Sequence, residues 1–198
     1  MKIITKIRNI FEHIHNKVIF IHKGINMPSS LVIRGNIAVS GVKHPCIFFG
    51  ENIHINSSFY YNPAGGVRTG TLLGIYEGAI LSIGNNTGIS NSTIICRKSI
   101  TIGDNVKIGV NTVIYDTDMH SVDYENRIAI PDQSIKTSPV VIEDGAWIGG
   151  HCIILKGVHI GKRSVIAAGS VVTHDVPDDE LWGGNPCRFI RKINCKFD

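Results

Sequence analysis

A six-residue period of β-branched residues runs from residue 83 to residue 172. Apart from one inserted residue after Ile95 and a long interruption after Ile114, the repeated positions are Ile83, Ile89, Ile95, Ile102, Ile108, Ile114, Ile142, Ile148, Ile154, Ile160, Ile166 and Val172. Four residues after each step lies a small or medium-sized candidate for the interior: Thr87, Thr93, Ser99, Val106, Thr112, Ala146, Cys152, Val158, Ser164, Ser170 and Val176. Residues six apart lie on different faces of an α-helix, so the period predicts short β-strands with a corner every six residues.

Tight corners between these strands are suited to glycine, which often follows the β-branched residue, as at Gly84, Gly103, Gly109, Gly149 and Gly161. Three strands would form a coil of about eighteen residues, and successive coils would stack at the roughly 4.8 Å spacing of paired strands. The pattern predicts an all-β fold built as a parallel β-helix. Residues 31–80 repeat less cleanly, through Ile33, Val39, Ile47, Ile53 and Phe59, and we expect irregular early coils there with a loop at 63–66.

The first residues of the chain show a helical spacing instead. Their apolar positions are Ile3, Ile4, Ile7, Ile10, Phe11, Ile14, Val18 and Ile21. We expect a short helix over about residues 2–16, which either caps the open end of the β-helix or rests its basic side on the inner face of a membrane. The predicted division is a basic amphipathic helix and cap at 1–30 and a β-helix domain at 31–198. Within that domain we expect an extended loop at 116–139 and a tail at 183–198.

Charge and composition limit the kinds of function. The 198 residues suit one domain with a net charge of +4. Residues 1–24 carry this whole excess, with one acidic residue, Glu12, and five basic residues: Lys2, Lys6, Arg8, Lys17 and Lys23. The rest of the chain is neutral overall, which argues against a general nucleic-acid binder. Five cysteines without a C-x-x-C pair, no secretory leader and no long apolar run favour a cytoplasmic location.

The repeat fails between Ile114 and Ile142, where a long polar insertion contains His120. A polar loop held by rigid coils is a common place for function. Histidine is the side chain whose ordinary pKa best suits the removal of a hydroxyl proton near neutral pH. A nearby carboxylate would orient the ring, and the loop supplies Asp116, Asp118 and Asp123. Taken alone, however, a loop histidine is more often simply solvated.

The segment from Asp116 to His120 reads Asp-x-Asp-x-His, and it follows the run Ile-Gly-Asp-Asn-Val at 102–106. With these motifs, residues 80–192 resemble the hexapeptide-repeat acyltransferases. Within this family they are similar to the sugar O-acetyltransferases that act on galactosides, maltose and capsular or colanic-type polysaccharides. The resemblance implies a left-handed β-helix with His120 as general base. It also implies that Asn91 faces the acceptor, and it makes Asp118 the candidate for the group that orients His120.

The resemblance further implies a site for acetyl-CoA, the acetyl donor. Gly150 and Ala168 are eighteen residues apart, so they would stack at one corner and leave backbone amides open to the pantetheine arm. Arg188 and Arg191, in the C-terminal signature, either meet the coenzyme phosphates or lie in a solvated tail. The histidine at 174 departs from the family's usual lysine, which puts one phosphate contact in doubt. The residues that match the family's coenzyme A positions are Trp147, Gly150, Ala168, Thr173 and His174.

The function implied by the resemblance is direct O-acetylation of a sugar or glycan-precursor hydroxyl, in a homotrimer whose neighbouring subunits form the donor groove. Two alternatives stay open: N-acetylation of an amino sugar, and a structural solenoid without catalysis. A zinc site from His120, His151 and His159 is a weaker interpretation, because the coil register gives no sign of convergence, and we expect no metal. Cys96 and Cys152 are expected to be structural. The residues expected to hydrogen-bond acceptor hydroxyls are Asn91, Asp116, Asp118, Asp123 and Arg127.

Overall fold

The computed structural model describes residues 2–58, 60–65 and 70–193 of the chain. These ranges contain the helices α1 (Lys2–Lys23) and α2 (Tyr124–Ile128) and a short 3₁₀ turn at Pro63–Gly65. In chain order the strands are β1 (Val32–Gly35), β2 (Ala38–Gly41), β3 (Cys46–Phe49), β4 (His54–Ser57), β5 (Leu72–Ile75), β6 (Ile80–Ile83), β7 (Gly88–Ser90), β8 (Thr93–Cys96), β9 (Ser99–Ile102), β10 (Lys107–Ile108), β11 (Val113–Tyr115), β12 (Val140–Ile142), β13 (Trp147–Ile148), β14 (Ile153–Ile154), β15 (His159–Ile160), β16 (Val165–Ile166), β17 (Val171–Val172), β18 (Glu180–Gly183) and β19 (Arg188–Lys192).

The strands wind into a solenoid with three sides. The first sheet has the order β1-β4-β7-β10-β13-β16-β18-β19, the second β2-β5-β8-β11-β14-β17, and the third β3-β6-β9-β12-β15. Successive strands of the second and third sheets pair in parallel, as do those of the first sheet up to β18, and β19 then pairs antiparallel with β18. The fold is a left-handed parallel β-helix, so the predicted fold class is confirmed.

Ladders of isoleucine fill the interior, as the six-residue period predicts. In the first sheet Ile108 pairs with Ile148, and Ile148 pairs with Ile166. In the third sheet Ile102 pairs with Ile142. All five side chains are at most 2% exposed. Burying one such side chain contributes about 1.5–3 kcal/mol through its removal from water, so the repeat is itself the main source of hydrophobic stabilisation.

One edge departs from the predicted register. β8 pairs Ile94, rather than Ile95, with Ile114 of β11, and Ile94 is fully buried. The small interior residue on this edge is likewise Ser92, whereas Thr93 is partly exposed. The corner before β8 is one residue shorter than the period, and a bend after β8 takes up the additional residues. Spacing alone shows that a residue has been inserted, but it does not show which corner accommodates it.

Residues 31–80 form two stacked coils whose strands pair regularly, but the second coil is interrupted between the end of β4 at Ser57 and the start of β5 at Leu72, where the predicted loop includes the 3₁₀ turn at Pro63–Gly65. The strands of the first coil pair in register with β4, β5 and β6 of the second. The interior residues of the first coil, Ile33, Val39 and Ile47, are only partly buried and pack at the edge of the core. No earlier coil packs against these residues, so another element of the chain can cover this end of the solenoid. The predicted step to Phe59 lies outside the described residues.

Helix α1 covers this open end. Asn16 is buried, and its amide nitrogen donates to the carbonyl oxygen of Gly35 at 2.9 Å while its Oδ1 accepts from the backbone N–H of Ile37 at 3.0 Å. The Phe20 ring stacks on the ring of Phe49, with 5.9 Å between centroids. The side chain of Asn16 thus satisfies backbone groups of the first coil, and Phe20 extends the core to the helix.

The helix is longer than the sequence pattern predicts, because the helical stripe continues past residue 16. It ends at Lys23, where Gly24 takes a φ of 64°. The backbone N–H of Ile25 then donates to the carbonyl of Phe20 at 2.8 Å, and that of Gly24 donates to Ile21 at 3.0 Å, as in a Schellman C-cap. Among the described residues, no helix has the length and apolar character needed to cross a bilayer.

The predicted C-terminal tail is part of the first sheet. β18 pairs in parallel with β16, and β19 folds back on β18 as an antiparallel strand. Trp182 and Phe189 meet edge to face across this hairpin, with 6.4 Å between ring centroids. Residues 194–198 of the predicted tail lie outside the described part of the chain.

Candidate functional site

The base of the loop at 116–139 is fixed by a buried carboxylate. Asp116 is 0% exposed, and its two carboxylate oxygens accept from the backbone N–H groups of Arg97 at 2.7 Å and Lys98 at 2.6 Å. Its own carbonyl accepts from the N–H of Ser138 at 2.9 Å, which closes the loop. Asp116 therefore holds the bend after β8, and it is not available to bind an acceptor as we had expected.

His120 lies in the loop beside a carboxylate that the sequence motif did not indicate. Its Nδ1 is 2.8 Å from Oδ2 of Asp132, and the backbone N–H of Ser121 also donates to Asp132 at 3.3 Å. Asp118, which we had expected to orient His120, instead pairs with Nζ of Lys156 at 2.8 Å. The reason is geometric: the loop turns back on itself, so a residue twelve positions later reaches the ring while Asp118 still faces the coils.

The outer part of the loop is stabilised by its own polar side chains. Asp123 caps α2 by accepting from the N–H of Asn126 at 3.0 Å. Arg127 donates from one guanidinium nitrogen to the carbonyls of Ser121 at 3.0 Å and Val122 at 2.9 Å. Asp123 and Arg127 therefore have structural partners in addition to the acceptor role expected of them. The loop also presents four large exposed apolar side chains: Val122, Tyr124, Ile128 and Ile130.

Asn91 is a buried polar residue at the corner before β8. It is 3% exposed, adopts a φ of 43°, and its N–H donates to the carbonyl of Asn56 at 2.7 Å. Its amide nitrogen donates to the carbonyl of Asn62 at 3.4 Å. Its Oδ1 is buried and has no hydrogen-bond partner within the described parts of the chain. Because an unsatisfied buried acceptor is costly, this oxygen is a candidate for contact with a bound molecule.

Asn91 and His120 lie at opposite ends of the second sheet. Asn91 precedes β8, whereas His120 follows β11, and the two strands pair in parallel. A strand of four residues spans roughly 10 Å or more, so the sheet separates the two side chains within one copy of the chain. Between the residues described, no hydrogen bond or ion pair joins them. The structure therefore does not bring these two predicted site residues together in a single chain.

The residues predicted to bind the donor lie at two corners. Gly150 and Ala168 occupy stacked corners, since the N–H of Gly169 donates to the carbonyl of Gly150 at 2.9 Å. A Cβ on Gly149 would lie 2.6 Å from the backbone nitrogen of Ala168, whereas one on Gly169 would meet nothing within 4 Å. The backbone at Gly169 is therefore open to a ligand. Trp147 lies three residues before Gly150 and is 56% exposed.

The other residues predicted to bind the donor lie outside the corner that holds Gly150 and Ala168. Thr173 and His174 follow β17 at the other end of the second sheet, and Oγ1 of Thr173 is 2.7 Å from Nδ1 of His174. Arg188 and Arg191 lie on strand β19, all of whose residues are exposed. Their guanidinium groups donate to the nearby carbonyls of Cys187 and Lys192 at 3.0 and 3.1 Å.

The cysteines on the repeat are inside the solenoid. Burial, together with the neighbouring charge of Asp116, raises the pKa of the Cys96 thiol to about 12. Burial also raises the pKa of Cys152 above its usual value. A thiolate nucleophile at either position would be strongly disfavoured at neutral pH, so both fit the structural role that we predicted.

Two of the three histidines considered for zinc have carboxylate neighbours. Nε2 of His159 lies 3.1 Å from Oε1 of Glu143, and His120 faces Asp132. Across residues 2–58, 60–65 and 70–193, no group of three metal-ligating side chains comes together.

Comparison with known proteins gives the same fold and a group of related enzymes. A family model described as the hexapeptide repeat of succinyl-transferase matches residues 80–116 and 139–174. The galactoside O-acetyltransferase of Escherichia coli K12 is 36% identical over 154 residues, which are 77% of this chain and 61% of that protein. The galactoside O-acetyltransferase of Lactococcus lactis is 40% identical over 146 residues, which are 73% and 62%. The chain thus spans about three fifths of these curated relatives.

Solved structures extend the comparison. The hexapeptide-repeat-containing acetyltransferase of Vibrio cholerae, solved in complex with acetyl coenzyme A, is 36% identical with a TM-score of 0.54, and the match covers 79% of this chain and 71% of that one. A galactoside acetyltransferase in complex with coenzyme A is 27% identical with a TM-score of 0.54, and the match covers 94% and 82%. The three-sided solenoid, its isoleucine ladders and these similarities agree, and the chain belongs to the hexapeptide-repeat acyltransferase family.

Proposed function

We propose that this chain is an O-acetyltransferase that transfers an acetyl group from acetyl-CoA to a hydroxyl of a sugar or glycan precursor, with His120 as general base. The observation that carries the proposal is the 2.8 Å contact between Nδ1 of His120 and Oδ2 of Asp132. With its proton on Nδ1 and donated to Asp132, the ring has Nε2 left as an acceptor. The galactoside O-acetyltransferases among the relatives support the choice of a sugar hydroxyl.

The chemistry follows from this arrangement. A hydroxyl is a weak nucleophile, so Nε2 of His120 removes its proton as the oxygen attacks the thioester carbonyl. Asp132 stabilises the imidazolium that forms, because its carboxylate keeps the hydrogen bond to Nδ1. The negative charge on the former carbonyl oxygen requires nearby N–H donors. His120 then returns the proton to the thiolate that leaves, and the ring is restored for the next turnover.

The donor would lie along the stacked corners at Gly150 and Gly169. The backbone at Gly169 is open, which fits the extended, amide-bearing pantetheine arm, whereas a Cβ on Gly150 would lie 3.2 Å from Val110. The exposed indole of Trp147 adds an apolar surface beside this corner. Arg188 and Arg191, on the exposed strand β19, supply positive charge for the coenzyme phosphates.

An acetylation assay tests the proposed reaction. The protein is incubated with acetyl-CoA and a panel of galactosides, maltose and amino sugars, and products are identified by mass spectrometry before and after mild alkali. We expect a carbohydrate product whose acetyl group is removed by alkali, because an ester hydrolyses readily. An alkali-resistant product would be an amide and would contradict the choice of oxygen. Absence of both transfer and coenzyme A binding would indicate a non-catalytic solenoid.

We further propose that the site is shared between copies of the chain in a homotrimer. Asn91 and His120 lie at opposite ends of one sheet, so a cyclic arrangement can bring Asn91 of one copy to the His120 loop of the next. The exposed apolar side chains of that loop, Val122, Tyr124, Ile128 and Ile130, are the kind of surface that a neighbouring copy covers.

Mixing of two inactive variants tests the shared site. His120→Ala removes the base, and Asn91→Gly removes the amide while glycine accepts the φ of 43°. When equal amounts of the two variants assemble at random, about three quarters of the trimers contain both variants, and each of these has one intact site out of three. The mixture should therefore regain about a quarter of the wild-type activity.

The matched control mixes His120→Ala with Asp132→Ala. Both changes lie in one loop, so no such recovery is expected from a trimer of these two. A site contained in a single chain would show no recovery in either mixture. A fully active monomer by light scattering would also contradict the proposal.

A further inference from the structure

Helix α1 carries an apolar stripe that faces away from the solenoid. Six large apolar side chains along one side of the helix are between 49% and 69% exposed: Ile7, Ile10, Phe11, Ile14, Val18 and Ile21. Their spacing of mainly three and four residues aligns them along about four turns. Isolated exposed apolar residues are ordinary on protein surfaces, whereas a continuous stripe of this length indicates a surface that binds something.

The stripe is not required for capping, because the opposite side of the helix does that. Asn16 and Phe20 are 1% exposed and lie about half a helical turn away from the stripe. Glu12, on the same inner side, accepts from the N–H of Gly35 at 2.9 Å, and Nζ of Lys23 donates to the carbonyl of Val42 at 3.0 Å. The helix is therefore held firmly with its apolar side outward.

Basic residues border the stripe. At 3.6 residues per turn, Lys6 and Lys17 fall along one edge of it, and both are exposed. The segment 1–24 holds five basic residues against one acidic residue, and it accounts for the chain's whole net charge of +4. Glu12, the single acidic residue, faces the solenoid. The outward side of α1 thus combines apolar and positive groups without a negative one among its described side chains.

We propose that α1 docks this stripe on the surface of a membrane that contains anionic phospholipids. A helix lying in the plane of the interface would bury the row from Ile7 to Ile21 among the acyl chains. Lys6 and Lys17 would then reach the headgroup phosphates from the edge of the stripe. The positive charge along this edge argues for an anionic surface as the occupant. The cap and the membrane interpretations of the helix are therefore compatible, since they use opposite sides.

Vesicle binding of the full chain tests the inference. Sedimentation is measured with vesicles of equal parts phosphatidylglycerol and phosphatidylcholine, and with phosphatidylcholine alone. We expect binding to the anionic vesicles that weakens as salt is added. The double variant Phe11→Ser/Ile14→Ser should lose at least about tenfold in affinity for the vesicles. The double variant Lys6→Gln/Lys17→Gln should lose about fivefold in affinity for each lysine removed, and only with the anionic vesicles.

Phe48→Ser is the matched control, because Phe48 is 59% exposed but belongs to β3 and not to the stripe on α1. It should bind vesicles as the wild type does, and circular dichroism should show that all variants keep their fold. Equal binding to both kinds of vesicle, or none to either, would overturn the proposal. So would a change of oligomeric state in Phe11→Ser/Ile14→Ser, since the stripe would then be a contact between copies. The test does not depend on acetyl transfer, so it stands apart from the proposed function.

Discussion

Replacing His120 with alanine is expected to lower kcat by about 10²–10⁴-fold, which is the usual contribution of a general base. The side chain is 73% exposed and its ring contact is with Asp132, so the change should not disturb the solenoid. The binding of coenzyme A should be nearly unchanged, because the donor residues lie on other coils. Steady-state kinetics with the true acceptor and a calorimetric titration with coenzyme A measure the two quantities separately.

A pair of matched variants separates the base from the group that positions it. Asp132→Asn keeps the shape of the side chain but removes the charge beside Nδ1, and it should lower kcat while KM for acetyl-CoA stays the same. Asp118→Asn makes the same chemical change in the same loop, on the partner of Lys156 instead, and it should have a much smaller effect. Near-normal turnover of His120→Ala, or equal losses in the two aspartate variants, would contradict the assignment.

Replacing Asp116 with alanine should destabilise the protein and inactivate it together. Two backbone N–H groups, those of Arg97 and Lys98, would lose a charged acceptor at 2.7 and 2.6 Å. Together these losses should cost about 2–4 kcal/mol, or a fall in Tm of roughly 5–15 °C. The base of the loop would also loosen, so His120 would no longer be held for reaction. Thermal unfolding and turnover are the measurements.

Asp123→Ala is the control for this change. It removes a carboxylate from the same loop, but only from the exposed cap of the short helix α2. A loss of about 0.5–1 kcal/mol is expected for such a cap. If Asp116→Ala melted at the wild-type temperature, the carboxylate would not be the anchor of the loop, and a role in acceptor binding would again be open.

The regular part of the fold could be read from the sequence because each residue of the repeat meets the same surroundings in every coil. Ile108, Ile148 and Ile166 stack on one another, so one local rule, a β-branched residue inside and a small residue at the corner, is applied many times. The break in this rule located the loop that holds His120. Where the repeat slips, as at Ile94 and Ile95, the same rule could not decide which residue turns inward.

The surroundings of His120 depended on contacts between distant residues. The contact with Asp132 forms because the loop closes on itself, and Asp116 is buried because its carboxylate meets a bend three strands earlier. Neither contact produces a periodic pattern in the sequence. The sequence also gives no way to distinguish the roles of three aspartates that lie near one histidine.

The amphipathic character of α1 was likewise plain in the sequence, but its orientation was not. An apolar stripe ordinarily faces the core, and here Asn16 and Phe20 on the other side dock the helix instead. The sequence by itself determined the repeating interior, the interrupted coil with its histidine, and the amphipathic helix, since these depend on local spacing. Only the tertiary structure decided which carboxylate meets His120, which aspartate is an anchor and which side of α1 faces outward, because each depends on groups that folding brings together from separate parts of the chain.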